Sequence, residues 1–274
     1  MIYETIRLTP FEDATLTPIC LTAEPDLKLT PRRAVIVCPG GGYHFLSSRE
    51  AEPIAAAFLA AGFATFILRY TVKPHAADYA PLQQAALAIK YVREHANAYH
   101  VDPDYVFVSG FSAGGHLAAS AGILWDHPKV RAVLGDAPEG IARPTGMVLS
   151  YPVITAGKWS HNKSIQNLCG KDDPSDGERD CFSLEKHVSA TTPPAFIWHT
   201  FTDRTVPVQN SILLAEAMTA AGVPFELHVY PKGVHGLSLC NELTMAGDTN
   251  LLAPHCEGWM QMAIAWMRNF ENLR

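Results

Sequence analysis

The stretch Val106-Phe107-Val108-Ser109-Gly110-Phe111-Ser112-Ala113-Gly114-Gly115-His116 decides how the rest of the chain is read. Its first half is β-branched and aromatic, the composition of a buried strand. Residues 112–124, which follow, are alanine-rich with helical spacing. Between the two stands Gly-x-Ser-x-Gly. A serine on such a strand-to-helix turn takes a strained backbone, the flanking glycines give it room, and its hydroxyl stands above the sheet's C-terminal edge. The bare pentapeptide also occurs in ordinary glycine-rich junctions. A strand before it and a helix after it point instead to a nucleophile at Ser112.

Outward from this junction, short apolar runs alternate with longer amphipathic ones. Strands are predicted over 34–38, 64–70, 105–109, 146–151, 195–200 and 225–230, with helices over 48–61, 79–98, 112–124 and 208–221. That alternation builds a mostly parallel sheet covered by helices on both faces. Gly62 and Gly222, just past two of the helices, read as left-handed caps, and residues 257–272 as a last docking helix. Residues 4–9 and 14–22 read as weaker strands broken by Pro10 and Pro18, an antiparallel edge ahead of the parallel core. A polar insertion spans about 155–192. It exceeds the usual length of an unstructured connection, and it reads as a lid on a single domain covering 1–274.

A serine hydroxyl near neutral pH needs a base within hydrogen-bond reach, and the base needs a carboxylate to orient it. Asp203 follows the apolar strand 195–200, in a loop that ends at Pro207. His235 follows the strand 225–230, with Gly233 and Gly236 freeing its backbone. Both loops leave the C-terminal edge where ligands of open parallel sheets gather. Alone, Asp203 reads as a helix cap and His235 as a loop histidine; in the order Ser, Asp, His they read as a triad. His44, His116 and His199 read as packing or hydrogen-bonding residues near the site, and His228 lies inside a strand. Neither HExxH nor His-x-His nor clustered carboxylates at ligand spacing occur, so no metal and no cofactor is expected.

Val37-Cys38-Pro39-Gly40-Gly41-Gly42-Tyr43-His44 closes an early strand with three glycines. Two readings compete, a plain turn and bare N–H groups aimed at an anion. A serine attacking a carbonyl creates such an anion, which gives Gly40 the bend and the next two glycines the donors.

Composition narrows the functions. Apolar residues make up 48% and charged ones 18%, suiting a folded enzyme. Lys and Arg number 21 against 27 Asp and Glu, a net charge of -6 without a basic block, so nucleic acid is excluded as a partner. Without a basic-then-apolar leader or a long apolar run, the chain reads as soluble and cytoplasmic, with no membrane partner. The six scattered cysteines read as reduced thiols, a Cys169–Cys181 bridge being the alternative.

With Pro39-Gly40-Gly41-Gly42-Tyr43, the Ser112 elbow, Asp203-Arg204-Thr205-Val206-Pro207 and His235-Gly236 taken together, the chain resembles the α/β-hydrolase superfamily. Within it, the chain is similar to the small acetyl esterase and lipase group that holds acetylxylan-type carbohydrate esterases. The resemblance implies the α/β-hydrolase fold, and a triad of Ser112, Asp203 and His235 with an oxyanion hole formed by the N–H groups of Gly41, Gly42 and Ala113. It also implies a short-chain ester substrate on a small molecule or oligosaccharide. Pro39 and Phe111 stand where the hormone-sensitive-lipase pattern has His and Asp, which shifts the likeness toward carbohydrate esterases. A peptidase-like amidase of the same fold and a non-catalytic binding homologue are the alternatives; a homo-oligomer is compatible with either.

Overall fold

The computed structural model describes residues 1–24 and 26–273. In chain order the elements are β1 (Ile2–Tyr3), β2 (Ile6–Arg7), β3 (Thr15–Cys20), β4 (Arg32–Cys38), α1 (Glu52–Ala60), β5 (Ala64–Arg69), α2 (Ala80–Glu94), β6 (Val101–Phe111), α3 (Ala113–Ile123), α4 (Pro128–Leu134), β7 (Met147–Ser150), α5 (Asn162–Cys169), α6 (Asp176–Cys181), β8 (Ala195–Thr200), α7 (Gln209–Ala220), β9 (Phe225–Tyr230) and α8 (Trp259–Arg268). The strands form one sheet of order β1-β3-β5-β4-β6-β7-β8-β9, with β2 also on β3. From β5 to β9 neighbours run parallel; β1, β2 and β3 make the antiparallel N-terminal edge.

Side chains alternate across a strand, and here both faces are buried. In β4, Ala34, Ile36 and Cys38 enter one core with Leu82 of α2, Leu117 of α3 and Leu214 of α7. Val35 and Val37 enter the other, with Phe58 of α1 and Trp259 and Trp266 of α8. This two-sided burial explains why the strands read as unbroken apolar runs. Chain order reverses direction at β4, which pairs with β5 on one side and β6 on the other. Loops that leave the C-terminal ends of β4 and β6 therefore flank one crevice.

Several boundaries differ from the sequence reading for local reasons. Helix α1 starts at Glu52 because Pro53 takes the first turn, leaving Ser48–Glu50 as a separate 3₁₀ turn. Strand β3 runs through Pro18 unbroken: β2 pairs with Thr15 and Leu16 and β1 with Ile19 and Cys20, so the missing N–H faces no outer partner. The stretch 155–192 is not irregular but holds α5 and α6, and α4 was not foreseen. Gly62 and Gly222 lie at φ +92° and +69°, as their cap positions require. Cys169 and Cys181 are both free thiols. No helix among the described residues is long and apolar enough to cross a membrane.

Candidate active site

Two close contacts shape the Ser112 turn. A Cβ at Gly110 would meet Gly114 O at 2.1 Å, and one at Gly114 would meet Cys38 O at 2.1 Å, so the helix can enter against β4 only with glycine at both places. Ser112 itself sits at φ 54°, ψ -117°, a region that costs about 1–3 kcal/mol for a residue with a side chain. Its N–H donates to Ser150 O at 3.0 Å, fixing the turn to β7.

The structure brings the three predicted triad residues together. His235 Nε2 lies 2.8 Å from Ser112 Oγ, and His235 Nδ1 lies 2.6 Å from Asp203 Oδ2. A carboxylate only accepts, so Nδ1 carries the proton and Nε2 is left to accept from the serine hydroxyl. Asp203 Oδ1 accepts the N–H groups of Thr205 and Val206, each at 2.9 Å. Burial pushes the Asp203 carboxyl up, but hydrogen bonds from His199 and His235, the attraction of His235 in its imidazolium form and the Val206 N–H outweigh it and hold the group below the ordinary carboxylate range. His199 Nε2 is 3.5 Å from Asp203 Oδ2 and 2.9 Å from Val206 O, while its Nδ1 meets Ser211 Oγ at 2.8 Å.

At the glycine loop the reading changes in one respect. Gly41 and Gly42 make the bend themselves, at φ +131° and +65°. Gly40 is needed for closeness: a Cβ there would meet Glu50 Oε2 at 2.6 Å, Phe111 O at 2.7 Å and Ser112 Cβ at 3.1 Å. The N–H groups of Gly41, Gly42 and Ala113 meet no acceptor among the described residues. Ala113 opens α3, where the helix dipole also favours negative charge.

Sequence reasoning missed Glu50. Buried in the 3₁₀ turn before α1, its carboxylate accepts Gly40 N–H at 2.9 Å and Tyr151 O–H at 2.7 Å. Tyr151 in turn accepts Ser238 N–H at 2.9 Å and sets its ring edge-on to His235 at 5.1 Å. Arg49 donates to Gly236 O and Thr244 O, and Ser238 Oγ donates to Arg49 O. One short turn thus ties the glycine loop to the His235 loop. A lone Glu before a proline-started helix carries no signal of such a role.

His116 is buried, as read: Tyr43 O–H meets its Nδ1 at 2.9 Å and its Nε2 donates to Phe182 O at 3.0 Å. His44 stands at the rim of the cleft. From the insertion, Asn167 Nδ2 donates to Gly42 O at 2.8 Å, and His161 faces the cleft, its pKa lowered by burial and by His235. The cleft at Ser112 has a volume of about 560 Å³ and includes Gly41, Gly42, Phe45 and His235 in its walls. A larger hollow of about 970 Å³ lies by Pro103, Thr145 and Pro224, at the opposite edge of the sheet.

This fold and this edge-sited constellation define an α/β-hydrolase. The BD-FAE family model matches residues 23–218, and the chain belongs to that family. It is 38% identical to endo-1,4-beta-xylanase B of Butyrivibrio fibrisolvens over 79% of this chain and 34% of that protein. With an acetylxylan esterase of Xylanibacter ruminicola it shares 34% identity over 74% of this chain and 41% of the other. The chain spans about a third to two fifths of the length of these two relatives. Among solved structures, an acetyl ester-xyloside bifunctional hydrolase from Caldicellulosiruptor lactoaceticus superposes with TM-score 0.83 at 33% identity, covering 99% of this chain and 97% of that one.

Proposed function

We propose that the chain is a serine carboxylesterase that removes short acyl groups, acetyl foremost, from sugars or oligosaccharides. The observation that carries this reading is the hydrogen-bonded line from Ser112 Oγ through His235 to Asp203, at a cleft whose walls include Ser112, His235 and the bare backbone of Gly41 and Gly42. Ser112 Oγ attacks the ester carbonyl while His235 Nε2 takes its proton. Asp203 holds Nδ1–H and stabilises the imidazolium, and the oxyanion rests on Gly41, Gly42 and Ala113. His235 then protonates the leaving alcohol. Water, activated by the same imidazole, hydrolyses the acyl-enzyme and regenerates Ser112.

The carbohydrate part of the reading is supported by the relatives' names and by the cleft itself. Phe45, 58% exposed at its wall, offers an apolar ring face to a sugar. Replacing Ser112 by Ala is expected to lower hydrolysis of p-nitrophenyl acetate by about 10⁴-fold or more, since triad members act as a unit. Near-normal turnover would sink the esterase reading. In an acyl series from acetate to decanoate, kcat/KM should peak at about two to four carbons, and a maximum at longer chains would instead mark a lipase.

A further inference from the structure

The cleft beside Ser112 carries a charge pattern that the triad leaves unused. Arg49, Lys73 and Lys163 all line it, from three separate places: the 3₁₀ turn ahead of α1, the loop after β5 and the first turn of α5. None of the three has a carboxylate within ion-pair distance among the described residues. Arg49 is pinned, its Nη1 donating to Gly236 O at 2.9 Å and Thr244 O at 3.1 Å, so its charge stays beside His235. Both lysines are exposed.

Negative charge in the same walls is confined to Glu50, whose two oxygens are taken by Gly40 N–H and Tyr151 O–H. Asp203 lies behind His235 with its side chain fully covered. The chain as a whole carries -6, so three unneutralised cations around one hollow run against its overall balance. Like charges gathered in a cleft repel one another, and low-dielectric walls focus their field onto whatever enters. A ligand that brings the countercharge relieves that repulsion and is drawn in by that field.

We propose that the cleft takes a carboxylate-bearing ester, an acylated sugar acid or a sugar monoester of a dicarboxylic acid, with its carboxylate facing Lys73 and Lys163. This deepens the esterase reading of Ser112 and rests on it for the bond that is cut. The anion subsite itself is tested without turnover. The Ser112→Ala protein is titrated calorimetrically with O-acetyl glucuronate, with the methyl ester of the same compound and with O-succinyl glucose. At low salt at least one anionic ligand should bind about tenfold more tightly than the neutral methyl ester, and the margin should shrink in high salt. Whichever anion wins places the charge on the alcohol side or on the acyl side. Adding Lys73→Met and Lys163→Met should bring the ratio of anionic to neutral affinity toward one. Equal affinities at low salt overturn the proposal, and a preference that survives both lysine changes overturns its assignment to these side chains. A preserved preference in a wild-type protein that cleaves no ester leaves the subsite standing and removes the esterase reading instead.

Discussion

Glu50 is where a single carboxylate reaches furthest. Its two oxygens hold the backbone just ahead of the proposed oxyanion donors and the tyrosine that packs against His235. In Glu50→Gln one of those oxygens becomes an NH₂ group facing a donor, so one bond is lost and the glycine loop or Tyr151 is left unpaired. We expect kcat on p-nitrophenyl acetate to fall about ten- to a hundredfold with KM little changed, short of the loss that follows removal of a donor itself. A change confined to KM, read from initial rates, would return Glu50 to a purely structural part. The residue scale also shows what a sequence withholds. That Ser112, Asp203 and His235 would meet was legible because each sits in a motif whose neighbours declare the turn it occupies. Glu50 was not, because its partners lie 10 and 101 residues away and nothing local marks them.

At the scale of elements, the central strands were legible to within a few residues because two-sided burial makes them continuous apolar runs. The insertion was harder to read. Helix α5 buries only Ile165 and Leu168 among its large apolar side chains, too few to show a period, although Ser175 and Glu178 spell the capping box that opens α6. What the insertion does became visible only through its contacts, Asn167 on Gly42 O and the Phe182 carbonyl on His116. His116 therefore joins α3 to the insertion and, through Tyr43, to the glycine loop. Burial pushes its pKa down to about 4, with the bond to Phe182 O opposing. Unfolding releases a histidine that binds a proton below about 6.5, so between the two values the unfolded chain holds more protons than the folded one. The stabilising contribution is complete above about pH 6.5 and is lost as pH falls toward 4, amounting to roughly 2 kcal/mol between pH 7 and pH 5. Urea midpoints at those two pH values should differ accordingly in the wild type, and the difference should shrink in His116→Gln; an unchanged pH dependence in that variant would clear His116 of the role.

Across the whole molecule, the order of the strands gathers the site. The glycine loop leaves β4, the Ser112 turn leaves β6, Asp203 follows β8 and His235 follows β9, all at one edge of a sheet sealed between two cores. Alternation of strand and helix made that convergence readable, since parallel strands joined by helices deliver successive loops to the same edge. The same packing holds Ser112 in a conformation it would otherwise leave, with β4 pressed on Gly114, β7 on the Ser112 N–H and Val153 N–H on Ser112 O. The strain is thus carried by the whole fold, and it is separable from the chemistry by comparing two variants that both lack the hydroxyl. Ser112→Ala keeps a Cβ at φ 54°, whereas Ser112→Gly removes it. Both should be inactive. The glycine variant should nonetheless be the more stable of the two, by about 1 kcal/mol after the entropy that glycine adds to the unfolded chain, which in a protein of this size is a Tm higher by roughly 2 °C. Calorimetric scans of the two proteins side by side decide it: an alanine variant that melts at the same temperature or above the glycine one would mean that the turn is relaxed as built, and that holding Ser112 in this conformation costs the fold nothing.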